Sequence, residues 1–182
     1  MQISHFCGTI YIEVLYMIET TLCYIEKENK YLMLHRVKKE KDINRDKWIG
    51  IGGKLEKGET KEQCLLREAK EETGLTLTRY NYRGVVHFCP DTPIYEVMHL
   101  YTADEFEGEI KQNCDEGNLE WIEKDKLFSL TLWEGDKIFL KLIENPKTPF
   151  FTLSLSYEGD VLTKAVLDGK EISTSIELDE IC

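Results

Sequence analysis

A loop, a helix and a stop are written into residues 53 to 75, and no other stretch constrains this 182-residue chain as tightly. The segment reads Gly53-Lys-Leu-Glu-Lys-Gly-Glu59-Thr60-Lys-Glu-Gln63-Cys64-Leu65-Leu66-Arg67-Glu68-Ala69-Lys-Glu71-Glu72-Thr-Gly74-Leu75. Thr60 and Gln63 have the spacing of a capping box, and Gly74 is placed to end a helix in a left-handed turn, which predicts a helix over residues 61–73. On it Glu68, Glu71 and Glu72 stand at i, i+3 and i+4 and share one face, with Leu65, Leu66 and Ala69 on the neighbouring arc. Like charges at that spacing repel by a few tenths of a kcal/mol per pair. A hard divalent cation would offset the repulsion, because carboxylate oxygens are the ligands Mg²⁺ prefers. For the acidic triplet alone, a solvated glutamate-rich face is the competing reading.

The whole spacing resembles the Nudix box, G-x5-E-x7-R-E-U-x-E-E-x-G-U with U a bulky aliphatic. Gly53, Glu59, Arg67, Glu68, Glu71, Glu72 and Gly74 fill its seven fixed positions, and Ala69 is small where the pattern usually carries Ile, Leu or Val. The resemblance implies a Nudix fold, an α/β/α sandwich around a mixed central sheet. It also implies hydrolysis of a nucleoside diphosphate linked to another group, with Mg²⁺ as cofactor and Mn²⁺ a possible substitute. By box position Glu68, Glu71 and Glu72 form the implied metal set. The implied catalytic groups are Glu68 as general base, Arg67 as the residue that orients the glutamates, and Glu71. Glu59 braces the loop or the metal's outer shell, and Gly53 and Gly74 are structural.

Net charge agrees with that chemistry. At −11 the chain lacks the clustered Lys and Arg of a nucleic-acid groove, and an acidic site can hold a polyphosphate only through metal ions. Apolar content of 42% and charged content of 31% are those of a globular protein with a real core, and no segment reads as a membrane span. The six cysteines, Cys7, Cys23, Cys64, Cys89, Cys114 and Cys182, show no C-x-x-C pair, so free thiols in a cytoplasmic protein are the expectation. Cys64 lies one turn before Glu68 and reads as a small buried thiol rather than a ligand. Oligomeric state is not legible.

Along the chain, residues 1–17 read as an extension of unclear role, with Met17 as an alternative start. Residues 18–168 read as the Nudix domain and 169–182 as a loose polar tail. Strands are predicted over 18–26, 31–36 and 118–123 and as hairpins over 82–89/94–102 and 150–157/161–167. A second helix is predicted over 135–143, burying Ile138, Phe139 and Leu142, and Asp104 to Glu109 is predicted to be loop. In the charged stretch after the second strand Arg36 is a candidate phosphate ligand. Lys54, in a G-G-K segment like the family's, reads equally as a phosphate contact or an exposed lysine. Glu116, five residues before Trp121, matches a family position that completes the metal site from a loop; its alternative is a surface glutamate.

For the substrate, Leu132-Trp133-Glu134-Gly135-Asp136 resembles the MutT-type branch that removes oxidised purine nucleoside triphosphates such as 8-oxo-dGTP. That likeness implies Trp133 stacking on the base and Asp136 bonding to its edge, whereas a core-sealing Trp needs no ligand. Gly135 stands where the branch has its first aspartate, and Ile49 stands where it has an asparagine, so base recognition is expected to differ. The implied partner is a nucleotide, with no nucleic acid and no membrane. The rivals are a Nudix hydrolase of ordinary NTPs or nucleoside diphosphate sugars, and a nucleotide-sensing module that does not cut.

Overall fold

Successive side chains of a strand point to opposite faces, so a strand apolar at every position must be covered on both sides. Cys23-Tyr24-Ile25 and Leu32-Met33-Leu34 are such runs, and all are fully buried. Tyr24 and Met33 enter one core, while Cys23, Ile25, Leu32 and Leu34 enter a second on the other face.

The computed structural model describes residues 16–38, 42–111 and 114–174, and the backbone of two short antiparallel strands, β1 (His5–Phe6) and β2 (Thr9–Ile10). Apart from that pair, the extension before Tyr16, the end of the tail, Cys7 and Cys182 lie outside the described residues. One sheet holds β3 (Tyr16–Lys27), β4 (Lys30–His35), β5 (Trp48–Ile49), β6 (Thr76–Cys89), β7 (Ile94–Glu107), β8 (Asn118–Glu123), β9 (Phe151–Glu158), β10 (Val161–Leu167) and β11 (Lys170–Ile172). Its order is β11-β10-β9-β6-β7-β3-β4-β5, with β8 on β4. The β3–β7 and β6–β9 pairs are parallel and the others antiparallel, so the sheet is mixed as expected.

Helix α1 (Lys61–Thr73) closes one core with Leu65 and Ala69, and α2 (Glu134–Glu144) closes the other with Ile138, Phe139, Leu142 and Ile143. A 3-10 turn, Lys124–Ser129, precedes α2. The α/β/α sandwich therefore stands. The caps of α1 are those the sequence predicts: Gln63 N–H donates to Thr60 Oγ1 at 3.2 Å, Thr60 N–H donates to Gln63 Oε1 at 2.9 Å, and Gly74 takes φ 82°. Leu66 is 37% exposed, so the buried stripe of α1 is narrower than its apolar composition. No helix among the described residues is long and apolar enough to cross a membrane.

Two expectations are corrected. The acidic run from Asp104 does not begin a loop, because β7 continues to Glu107 and Arg79 of β6 pairs across to Asp104 at 2.6 Å and to Glu105. The chain after Asp168 is not loose throughout, because β11 turns back onto β10 with Asp168 and Gly169 both at positive φ. Three residues are too few to show an alternation in sequence.

One departure from regular pairing positions the functional residues. β3 and β4 pair only over Ile25–Lys27 and Lys30–Leu32, then part. The glycine-rich segment enters the gap: Trp48 and Ile49 run against β4, while Ile51 and Lys54 bridge to Cys23 and Thr20 of β3. Thr21 N–H donates to Gly53 O at 2.9 Å and Leu55 N–H to Glu19 O at 3.0 Å, which fixes the loop before α1 to the sheet.

Candidate active site

Arg67 joins loop to helix. Its Nε and Nη2 donate to the two oxygens of Glu59 at 2.8 and 2.9 Å, a bidentate fork. Its Nη1 donates to Glu68 Oε1 at 2.8 Å and Glu71 Oε2 at 3.2 Å, and Nη2 also reaches Lys54 O at 3.1 Å. The guanidinium's hydrogen bonds hold the Glu59 carboxyl down at about 2, so Glu59 stays ionised and Arg67 stays charged. One side chain thus sets the spacing of Glu68 and Glu71 and ties both to the loop at Lys54 and Glu59.

Glu72 is 6% exposed and accepts from Gly52 N–H at 2.9 Å. Gly53 lies flat against Glu68: a Cβ there would come 2.3 Å from Glu68 Oε1. The structure therefore gathers Glu68, Glu72 and the Gly52-Gly53 backbone into one corner. Cys64 is fully buried, with Sγ 3.4 Å from Thr21 Oγ1, and burial raises its thiol. That is the buried thiol the sequence favours. Cys23, Cys89 and Cys114 are likewise free.

Oxygen-only donors on one helix face suit a hard cation such as Mg²⁺ in kind. Arg67 engages one oxygen each of Glu68 and Glu71, leaving the second oxygen of each to a ligand. Among the described residues no three acidic, imidazole or thiol groups already converge on a cation position. Glu116 lies on the loop before β8, whose Cys114 is buried in the same core as Leu65 and Ala69 of α1. Glu116 pairs with Arg36, which also holds Asp42 at 2.8 Å. A phosphate at Arg36 would have to compete with both carboxylates. Burial raises the Glu96 carboxyl of β7, opposed by the Thr20 hydrogen bond and by the charge of Lys54.

On the far face, at the start of α2, Trp133 is 7% exposed and Asp136 8%. Trp133 Nε1 donates to Asn44 Oδ1 at 2.8 Å, Lys47 Nζ sits 4.0 Å above the ring, and Phe88 and Tyr157 meet the indole edge to face. The indole is thus part of the core, and its face toward Lys47 is already covered by a cation. Gly135 N–H donates to Tyr157 Oη at 2.8 Å, and a Cβ on Gly135 would come within 2.5 Å of Leu155 and 2.6 Å of that hydroxyl. An aspartate there would have to displace the side-chain ends of Leu155 and Tyr157 of β9.

Burial pushes the Asp136 carboxyl up to about 8, with Lys47 opposing and Glu96 adding. Lys47, Glu96, Tyr24 and Tyr157 are the titratable groups around it. Because the folded value lies above the ordinary 3.8, Asp136 costs nothing below about pH 4 and its penalty grows as pH rises to about 8. Asp136→Asn is therefore expected to be more stable than the parent at pH 9, by an amount on the order of a few kcal/mol, and near-equal at pH 4; urea unfolding at the two values checks the slope.

Lys47, Asn44 and Glu96 are absent from the sequence-level candidates. Glu96 had a signal: in Glu96-Val-Met98-His-Leu100 the two-residue period sets it on the inward face with Met98 and Leu100. Lys47 and Asn44 come from a loop without periodicity and had none.

Comparison with known proteins agrees with this geometry. A family profile described as NUDIX domain matches residues 18–143. The oxidized purine nucleoside triphosphate hydrolase of Danio rerio is 33% identical over 136 residues, 73% of this chain and 85% of that protein. The uncharacterized Nudix hydrolase YvcI of Bacillus subtilis is 29% identical over 125 residues, 66% of this chain and 75% of its own. The MutT protein from Bacillus halodurans superposes with a TM-score of 0.74 at 28% identity, covering 83% of this chain and 97% of that one. With the box intact on a capped helix and the sandwich around it, this chain belongs to the Nudix family and is a Nudix hydrolase.

Proposed function

We propose that the chain cleaves a modified (oxidised) purine (deoxy)nucleoside triphosphate, such as 8-oxo-dGTP, to the monophosphate and pyrophosphate. The observation that carries this reading is the chain of contacts from the box loop to the start of α2. Thr20 bridges to Lys54 and donates to Glu96 at 2.8 Å, and Phe88, paired with Glu96, packs on Trp133 beside Asp136. A base-reading group and a phosphate-contacting group are so linked through one inward carboxyl. The similarity to the Danio rerio enzyme, named for oxidized purine nucleoside triphosphates, supports the same substrate class.

Glu68, Glu71 and Glu72, with Glu116 from the loop before β8, are the residues that would hold Mg²⁺. When bound, the metal supplies neutralisation of polyphosphate charge as it grows in the transition state. Glu68, oriented by Arg67 and set against Gly53, serves to take the proton of the attacking water. Lys54 neutralises a phosphate oxygen, and Asp136 bonds to the base edge. Base stacking on Trp133 needs Lys47 to yield the place its ammonium holds above the ring.

A competition of 8-oxo-dGTP, dGTP, dATP and ADP-ribose, compared by kcat/KM with Mg²⁺ and with EDTA, tests the reading. Preference for 8-oxo-dGTP and loss in EDTA are expected. Equal rates on dGTP and its oxidised form would remove the sanitising role, and preference for ADP-ribose would favour a nucleoside diphosphate substrate. The absence of a carboxylate at Gly135, where Leu155 and Tyr157 crowd the space for one, is the observation that favours another nucleotide.

A further inference from the structure

On the inward side of the sheet one sealed hydroxyl lacks the partner its burial demands, and two carboxyls stand near it. Asp136 of α2 is 8% exposed, and its carboxyl oxygens, unlike that hydroxyl, are not shut away from solvent without a partner. The Tyr24 hydroxyl is fully buried, finds no hydrogen-bond partner of acceptable geometry among them, and feels the Asp136 charge. Glu96, whose carboxyl burial also raises, is held on one side only: Thr20 Oγ1 donates to Oε1 at 2.8 Å, and no described residue bonds to Oε2. Native interiors seldom leave a hydroxyl like that of Tyr24 unsatisfied without a use.

Topology puts them together. Thr20, Leu22 and Tyr24 alternate along β3 toward the α2 core, and on the parallel neighbour β7 Glu96, Met98 and Leu100 do the same. Phe88, paired with Glu96 across β6 and β7, packs against Trp133 at 6.0 Å. Glu96 therefore looks into the same space as Asp136, from the sheet instead of the helix.

We propose that Glu96 is a specificity-determining residue, which with Asp136 forms a two-carboxyl reader of the edge of a 2-amino-6-oxopurine. The inference rests on the purine triphosphate reading above. That edge presents one acceptor, the 6-oxo group, and two donors, N1–H and the 2-amino group. A protonated carboxyl donates to the first, and a carboxylate accepts from the other two, whereas adenine's edge offers only one donor and one acceptor. Asp136, deep in apolar surroundings, takes the donating part. Glu96, oriented by Thr20 and nearer Lys54, takes the accepting part, the one Gly135 cannot supply from α2.

The experiment compares kcat/KM for dGTP and dITP, which differ only in the 2-amino group, in the parent protein, Glu96→Gln and Thr20→Val. The parent is expected to prefer dGTP. Glu96→Gln keeps the size and the Thr20 contact but loses the charged acceptor, so dGTP should fall about tenfold or more while dITP changes little, and the preference collapses. Thr20→Val should move the ratio the same way by less, and it carries the test if Glu96→Gln fails to fold. Equal losses on both substrates, or an unchanged ratio in folded variants, would overturn the role of Glu96 and leave the hydrolase assignment intact. A parent protein that cleaves neither triphosphate would overturn the purine reading and this inference with it.

Discussion

Glu72→Gln is expected to lower kcat by about 10²–10³-fold, with little change in melting temperature. Glutamine fills the same volume, and its carbonyl oxygen can still accept from Gly52 N–H, the bond that Glu72 makes at 2.9 Å. Relief of carboxylate repulsion with Glu68 even returns a few tenths of a kcal/mol. What is lost is one negative charge in a nearly closed corner, where Glu72 is 6% exposed and screening by water is weak. Pyrophosphate release followed as Mg²⁺ is raised should show both a higher half-saturating concentration and a lower plateau. Full Mg²⁺-dependent turnover in the variant would mean that Glu72 is only a brace for Gly52.

Gly53→Ala should cost about a hundredfold in kcat/KM through displacement rather than charge. The new Cβ would lie 2.3 Å from Oε1, 2.6 Å from Cδ and 2.9 Å from Oε2 of Glu68. All three belong to the end of a flexible side chain, so the fold yields cheaply, by a carboxylate shift of roughly 1 Å. A shift of that size at a reacting group is worth about two orders of magnitude. The same shift strains the 2.8 Å bond from Arg67 and so disturbs Glu71 as well. An unchanged melting temperature with preserved activity would show that Glu68 need not stand where it does.

What was legible in the sequence was local. The cap at Thr60, the stop at Gly74 and the acidic face of α1 depend on residues within one or two turns of each other, and the structure has them where spacing puts them. The fork from Arg67 to Glu71 was likewise within reach of an i, i+4 argument, but its bond to Glu59 eight residues earlier needed the loop's path. Glu96 meets Thr20 across a parallel pair 76 residues apart, and no local pattern encodes that register. The Asp104–Glu107 run misled for a similar reason: acidic residues read as loop until Arg79, 25 residues earlier, is seen opposite. Trp133 was read with two alternatives, and its surroundings (Asn44, Lys47, Phe88, Tyr157) come from three separate parts of the chain.

The segment that slips between β3 and β4 has a thermodynamic corollary. Ile51 and Cys23 exchange both backbone bonds, at 2.7 and 2.9 Å, and Gly53 and Leu55 borrow partners from Thr21 and Glu19. The start of the box loop is therefore anchored to β3. The Ile51 and Leu55 amide protons are shielded for as long as those bonds to β3 hold, and catalytic geometry and conformational stability draw on the same few bonds. Selection for a tougher protein and selection for a better-ordered site would, at this one seam, push in the same direction.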